Sequence, residues 1–386
     1  MIPFARIVKY GNAAPSPGHI IKIQASRINQ ANLMFLSSNG DLWAIGTNNS
    51  GMFGTGNTTA LSVWTKIASN VKNFWSDSTA SPGGVVLYIT NDNRWYTSGS
   101  VTAIGINASS TTVFTERTST FSAISYNDIN YLDLTYENIC IVTNSGSIYT
   151  GGQNSDGRLG NNTTSFGTFA LRTDITTPVS KARFSRIGNT FYILLNDGTL
   201  RGSGTGGSGQ LNTSATRSNF FTLNTGVLDF WAGNLNYIAK KSDGYYVAGA
   251  NQNGQNGNGT TSGNVTTPTL VSAIGNPDYL YVTSSCFVTF NSSTSQYQYW
   301  GSNGTGKLAT GNTNSPLVPT THDGISIPSF SHAESVLNSG WFANGSTSFI
   351  LGNDYQIYTA GTVGVNTPGV TVNTARFQKI TLPSPY

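Results

Sequence analysis

The chain of 386 residues has few charged side chains, and this scarcity limits the partners open to it. Charged residues make up 9% of the sequence, against about 25% in an average soluble protein. The formal net charge of +4 comes from scattered residues, without a run of Lys or Arg that could follow a phosphate backbone. We therefore expect no nucleic-acid partner.

Cysteine and long hydrophobic runs are also scarce. Cys140 and Cys286 are the only cysteines, and neither lies in a CxxC or Cys/His pattern. Each falls in a predicted strand, where we expect a small buried hydrophobic side chain and no disulfide framework. No apolar run approaches the roughly 18 residues of a membrane-spanning helix. The start, MIPFARIVKYGN, does not have the pattern of a secretory signal, so we expect no membrane insertion.

Small polar residues take the place of charge. The chain contains 44 glycines with abundant Ser, Thr and Asn, and it has few of the strong helix formers Glu, Lys and Ala. Such a composition favours turns and strands over helices. The composition predicts an all-β protein.

An internal repeat organises the whole sequence. Three clear copies are Asn39–Asn57, Ser145–Asn162 and Trp300–Asn312, each a short strand followed by a Gly-rich hairpin. The glycines that close the corresponding strands are Gly46, Gly99, Gly152, Gly204, Gly249, Gly301 and Gly361, with steps of 53, 53, 52, 45, 52 and 60 residues. We call them the marker glycines. A step of about fifty residues with period-two alternation predicts one four-stranded propeller blade per repeat, and so a seven-bladed β-propeller.

A second glycine recurs five residues after the marker, with an apolar residue two positions further on. The pairs are Gly51 with Phe53, Gly157 with Leu159, Gly209 with Leu211, and Gly306 with Leu308. We expect the glycine to occupy a turn and the apolar residue to fill the space between neighbouring blades. The second and seventh repeats are degenerate, and the spacing in the fifth has slipped.

The two chain ends suggest how the ring closes. The C-terminal strand Phe377–Leu382 lacks the strand that follows its equivalents, whereas His19–Ala25 resembles that missing strand. We therefore predict that an N-terminal strand pairs with the C-terminal strands in one shared sheet, which would remove exposed sheet edges. The predicted organisation is an N-terminal arm over residues 1–18 and a single propeller over residues 19–386.

The string G-x-[LIV]-[YW]-x-x-G-x-N-x-x-G-x-[LF]-G occurs at Gly40–Gly54 and almost intact at Gly146–Gly160. It resembles the repeat of the regulator-of-chromosome-condensation family, and the resemblance runs from about His19 to Leu382. The resemblance implies a seven-bladed propeller. Family members include nucleotide-exchange factors, chromatin binders and a bacterial β-lactamase inhibitor, so it implies no single function. The charged surfaces of the eukaryotic roles have no counterpart here.

Residues that could carry out chemistry are isolated. His19, His322 and His332 stand in unlike contexts without HExxH or His-x-His spacing, so no catalytic or zinc site is indicated. Asp156 lies in a segment with some likeness to a calcium loop but without the bidentate Glu, and a turn is the favoured interpretation. Gly202–Gln210 contains a GxGxxG-like run, but a strand-rich segment follows it instead of a helix. We expect no enzyme, cofactor or metal.

Two functional hypotheses remain. The first is a non-enzymatic bacteriophage virion structural or host-attachment protein, a tail, collar or fibre component that uses the propeller as a protein- or glycan-binding platform. It would bind other virion proteins or a host surface receptor, in multiple copies. Low charge and a Gly/Ser/Thr/Asn-rich all-β composition favour it. The alternative is a bacterial binding or inhibitor propeller that acts on a protein partner. The corresponding locations are the virion and the extracellular space.

Overall fold

The fold is known from a computed structural model, which describes residues 18–386 except 27–31, 80–82, 186–188, 262, 283–284, 332–340, 344–345, 365 and 385. Of the predicted N-terminal arm, only Gly18 falls within this part of the chain. His332 lies outside it.

The described residues form 28 strands in seven antiparallel four-stranded sheets, which we call blades 1 to 7 in chain order. Blade 1 contains β1 (Ile20–Ala25), β2 (Asn32–Ser37), β3 (Leu42–Gly46) and β4 (Leu61–Ala68). Blade 2 contains β5 (Val71–Ser78), β6 (Gly84–Thr90), β7 (Trp95–Gly99) and β8 (Thr111–Glu116). Blade 3 contains β9 (Ile129–Leu134), β10 (Asn138–Thr143), β11 (Ile148–Gly152) and β12 (Gly167–Leu171). Blade 4 contains β13 (Val179–Phe184), β14 (Thr190–Leu195), β15 (Leu200–Gly204) and β16 (Arg217–Asn224).

The remaining three blades repeat this plan. Blade 5 contains β17 (Asp229–Ala232), β18 (Asn236–Lys241), β19 (Gly244–Gly249) and β20 (Val265–Leu270). Blade 6 contains β21 (Tyr279–Val282), β22 (Cys286–Asn291), β23 (Gln296–Gly301) and β24 (Thr320–Thr321). Blade 7 contains β25 (Trp341–Ala343), β26 (Thr347–Leu351), β27 (Ile357–Gly361) and β28 (Thr374–Lys379). The predicted all-β, seven-bladed propeller with four-stranded blades is confirmed.

Helix is limited to single 3-10 turns in the part of the chain that the structure describes. These turns are Asn49–Gly51, Val101–Ile104, Tyr126–Asp128 and Ser272–Ile274. None of them has the length of a segment that could cross a membrane as a helix.

The first strand of each blade lies innermost in the ring. β1 contacts β5, β5 contacts β9, β9 contacts β13, β17 contacts β21, and β21 contacts β25. β25 in turn contacts β1, so the last blade lies beside the first. The seven sheets are therefore arranged radially around one axis.

Hydrophobic side chains join every pair of neighbouring blades. Seven clusters of buried residues are found among the described residues, and each draws on two adjacent blades. The cluster between blades 7 and 1 combines Phe35 with Phe349 and Ile357. Because a blade buries apolar surface on both sides, a single blade could not be stable alone, and the ring forms one cooperative unit.

Each marker glycine closes a strand, as predicted, but it is the third strand of its blade and not the second strand of the repeat; all seven have φ between 89° and 134°. This conformation favours glycine. The neighbouring backbone also leaves no room for a side chain: a Cβ on Gly152 would collide with the carbonyl oxygen of Glu137, and a Cβ on Gly204 with that of Asn189. The fifty-residue step is thus set by one backbone position that recurs in each sheet.

The predicted sharing of one sheet by the two chain ends is wrong. β1 pairs with β2 in blade 1, and β28 pairs with β27 in blade 7, so each blade is built from four consecutive strands. The strand that follows β4, β8 or β12 is the inner strand of the next blade, not a further strand of the same sheet. β1 is accordingly the ordinary first strand of blade 1. In the part of the chain that the structure describes, the ring closes by side-chain packing between blades 7 and 1, which buries apolar surface.

Candidate functional site

The propeller has two faces that differ in their connections. Antiparallel pairing places the end of the first strand, the start of the second and the end of the third at the same end of each blade, as Ala25↔Leu33 and Asn32↔Gly46 show. We call the face with the first-to-second and third-to-fourth strand connections the hairpin face. The opposite face carries the second-to-third strand turns and the links between blades, and we call it the turn face.

A buried asparagine two residues after the marker glycine holds four of the hairpins together. Asn154 Oδ1 accepts a 2.8 Å hydrogen bond from the Leu159 N–H, and its Nδ2 donates at 3.0 Å to the Thr163 carbonyl oxygen. Equivalent pairs of bonds are made by Asn48, Asn251 and Asn303. The sequence does not reveal this role, although the G-x-N element of the repeat string marks these positions. They are structural residues with their polar atoms already engaged.

The apolar residues of the hairpins lie between blades, as predicted. Phe53 and Leu159 belong to the clusters that join blade 1 to blade 2 and blade 3 to blade 4. Leu211 and Leu308 fill the same position between blades 4 and 5 and between blades 6 and 7. The glycines that precede them pack on the outer strand of the next blade; a Cβ on Gly51 would collide with Thr112. These hairpins therefore lock neighbouring blades together.

The third-to-fourth strand connections of the hairpin face carry little charge. Five of the seven third-to-fourth strand connections contain no charged residue at all. In blade 3, Arg158 Nε and Nη2 each donate at 2.8 Å to Asp156, and Nη1 donates at 3.0 Å to Glu137. The Asp156 carboxylate is thus engaged by a guanidinium, which agrees with the turn interpretation and not with a calcium loop.

The turn face is charged and has exposed apolar side chains. Asp354 pairs with Lys379 at 2.9 Å, and Asp323 pairs with Arg376 at 2.7 Å. Hydrogen bonding from the Arg376 guanidinium lowers the pKa of Asp323 to about 2. Exposed apolar side chains on this face include those of Ile21, Leu228, Ile325 and Tyr355. The turn face therefore combines ion pairs with exposed apolar side chains.

Two lysines of the inner strands tie neighbouring blades together. Lys22 Nζ donates to Asn73 Oδ1 at 2.9 Å and to the Phe74 carbonyl oxygen at 2.6 Å. Because the side chain is buried, its charged form is disfavoured, and the pKa of Lys22 falls to about 7. Lys181 occupies the same place in blade 4 and pairs with Asp229 of blade 5 at 2.9 Å. These lysines are part of the ring's interior and not of an open site.

The histidines are dispersed. The His19 ring lies 4.3 Å from the ring of Tyr355 on the turn face. His322 is buried, its Nε2 donates at 3.0 Å to the Leu308 carbonyl oxygen, and its Nδ1 accepts from the Gly324 N–H at 2.9 Å. Burial lowers the pKa of His322, so this imidazole is neutral and structural.

Other candidate residues have structural positions too. Cys140 and Cys286 are buried inside inter-blade clusters and form no disulfide, as predicted. The glycine-rich run Gly202–Gln210 extends from β15 into the connection to β16, so a strand and not a helix follows it. Over the residues that the structure describes, no group of His, Cys, Asp or Glu could hold a metal ion.

Comparison with solved structures identifies the kind of propeller. No family model matches the chain. Prp20p from Saccharomyces cerevisiae superposes with a TM-score of 0.72 at 13% identity, over 91% of this chain and 88% of that one. Yeast RCC1 (Prp20) in its complex with Kap60 gives a TM-score of 0.71 at 14% identity, over 100% and 92%. Human WBSCR16 gives 0.63 at 15% identity, over 80% and 82%. The chain therefore has the fold of an RCC1-like propeller.

Proposed function

We propose that the chain is a non-enzymatic binding propeller that docks a protein partner on its turn face. The observation that carries the proposal is a patch where blade 7 meets blade 1. It consists of His19, Ile21, Asp354, Tyr355 and Lys379, and we call it the seam patch. Ile21 and Tyr355 are 37% and 45% exposed. An aromatic and an aliphatic side chain beside an ion pair are typical of a protein interface.

Two further observations support binding over catalysis. The carboxylates of Asp156 and Glu137 both bind Arg158, and His322 is neutral and buried. The inter-blade clusters and the tightly packed hairpins make the ring rigid, so a surface patch is presented with little entropy to lose on binding. One similar propeller, yeast Prp20 (RCC1), has been studied as a protein binder, with Gsp1p and histones in one case and with Kap60 in another.

The biological setting has two candidates. A bacterial binding or inhibitor propeller would share the binding of a protein partner with yeast Prp20, and its location outside the cell is part of this hypothesis. A bacteriophage virion component that binds other virion proteins or a host receptor in multiple copies rests on composition: 9% charge and a Gly/Ser/Thr/Asn-rich chain. Detection of the protein by mass spectrometry in purified phage particles would favour the virion role, and its presence among secreted bacterial proteins would favour the alternative.

A photo-crosslinker placed at Tyr355 tests the docking surface. We expect this variant to form a covalent adduct with one discrete protein in extract of the native source, and mass spectrometry of the adduct identifies the partner. The matched control carries the crosslinker at Ser155, which is exposed on the hairpin face. Adducts from position 155 alone, or equal adducts with many proteins from both positions, would contradict docking on the turn face.

A further inference from the structure

A cleft of about 500 Å³ opens between the third-to-fourth strand connection of blade 2 and the start of the outer strand of blade 3. Its lining includes Thr102, Ile106, Asn107, Ser109, Phe166 and Thr168. Not one of the residues that line it is charged. The cleft therefore offers hydroxyl, amide and aromatic groups, and no charged side chain lines it that could pair with a charged ligand.

The cleft exists because blade 2 departs from the repeat. After the marker Gly99, the chain forms the 3-10 turn Val101–Ile104 in place of the usual Gly hairpin. Gly105 then packs closely on blade 3, where a Cβ would collide with the Gly167 carbonyl oxygen. The following residues, Asn107 to Ser109, line the cleft. The degenerate repeat thus keeps the contact between blades and leaves an open space beside it.

The polar groups at this cleft are free to bind a ligand. In the regular hairpins, several exposed asparagines are engaged in turns; for example, Asn57 Oδ1 accepts from the Thr59 N–H at 2.8 Å. Asn107, Ser109 and Thr168 are exposed, and their side chains make no hydrogen bond with the described part of the chain. An amide and two hydroxyls can each donate and accept.

The aromatic ring at the edge of the cleft is equally free. Phe166 is 52% exposed, and its ring stacks on no other aromatic ring of the described residues. Phe169, three residues further along, instead packs with Phe121 at 5.2 Å and with Tyr149 at 5.9 Å. An unpacked ring that faces an open cleft leaves about half of its apolar surface in water, and a ligand with an apolar face would cover it.

We propose that this cleft is a binding subsite for an uncharged saccharide. A pyranose ring has one face of C–H groups, which the electron-rich face of Phe166 attracts, and an edge of hydroxyls that matches Asn107, Ser109 and Thr168. The volume accommodates one or two sugar rings, and the lack of charged lining residues favours neutral over acidic sugars. The site is separate from the seam patch, so it does not depend on the proposed protein docking.

Saturation-transfer NMR on the full chain tests this subsite with five named probes. They are maltose, cellobiose, N,N′-diacetylchitobiose, methyl α-mannoside and methyl β-galactoside. We expect saturation transfer to the ring protons of at least one probe. For that probe, Phe166→Ala and Asn107→Ala should each weaken binding at least about tenfold. The control Phe221→Ala removes a ring that is 38% exposed on blade 4 and should leave binding unchanged.

The outcomes separate clearly because the substituted side chains are exposed, and thermal melting would confirm that each variant is folded. Transfer to none of the five probes, or transfer that Phe166→Ala and Phe221→Ala reduce equally, overturns the subsite. If a peptide competed with the saccharide for binding at Phe166, the cleft would be reassigned to protein binding. Failure here leaves the crosslinking result at Tyr355 untouched, so the two proposals fail independently.

Discussion

The indole nitrogen of Trp64, in the outer strand of blade 1, donates a 2.9 Å hydrogen bond to the carbonyl oxygen of Thr381, 317 residues further along the chain. The terminal Tyr386 lies beside this bond, with its ring 5.4 Å from Phe35 and 5.8 Å from Trp43. The C-terminal segment of blade 7 therefore extends across the seam and packs on blade 1. This aromatic contact adds to the inter-blade cluster that closes the ring.

Removal of residues 381–386 should destabilise the seam. The truncated chain loses the Trp64 hydrogen bond and the packing of Tyr386, and we expect a loss of about 2–4 kcal/mol in the free energy of unfolding, measured in urea. Trp64→Phe keeps a ring at position 64 and loses only the hydrogen bond, so its loss should be smaller, about 1 kcal/mol. Equal stability of the truncated and intact chains would show that the segment does not contribute to closure.

Gly152→Ala should be strongly destabilising. The glycine has φ 113°, and the added Cβ would collide with the Glu137 carbonyl oxygen. We expect a loss of at least about 2 kcal/mol, seen as a lower melting temperature or as insoluble protein. Gly207→Ala is the matched control, because a Cβ there has nothing within 4 Å. If both alanine variants have the melting temperature of the native chain, the backbone at Gly152 does not require glycine.

Asn154→Ala should loosen the hairpin of blade 3. The substitution leaves the Leu159 N–H and the carbonyl oxygens of Thr163 and Ser165 without their partner. Because these groups are buried or partly buried, we expect a loss of about 2–3 kcal/mol by thermal or urea unfolding. Asn107→Ala, at an exposed side chain, should change stability by less than about 0.5 kcal/mol. A similar loss in both variants would argue against the structural role of the repeat asparagine.

Lys22 should make stability depend on pH. Burial lowers its pKa from 10.5 to about 7 in the folded chain. Between these values the unfolded chain binds the proton and the folded chain does not, so the free energy of unfolding should rise as pH increases above about 7. Below that pH both states are protonated, and this contribution to the pH slope vanishes.

Urea titrations from about pH 6 to pH 9 measure this effect by comparing the native chain with Lys22→Met. The difference in the free energy of unfolding between the two proteins should shift in favour of the native chain as pH rises. A difference that stays constant over this range would show that Lys22 does not titrate there. All other groups are common to both proteins and cancel in the comparison.

Much of the fold could be predicted because it depends on local repetition. A glycine forced to positive φ, such as Gly152, and an apolar residue at fixed spacing, such as Leu159, are visible in one repeat and confirmed by the others. The structural role of Asn154 cannot be predicted from the sequence, because Asn is common in this chain and only the hydrogen bonds distinguish this residue from an ordinary turn residue.

Repeat spacing, backbone conformation and the all-β composition were readable from the amino-acid order alone, since each depends on residues within about fifty positions of one another. The grouping of strands into blades, the seam between Trp64 and Thr381, and the cleft beside Phe166 were decided only in the folded ring. They depend on which side chains meet from distant parts of the chain, and packing between complete blades selects those partners by burying apolar surface.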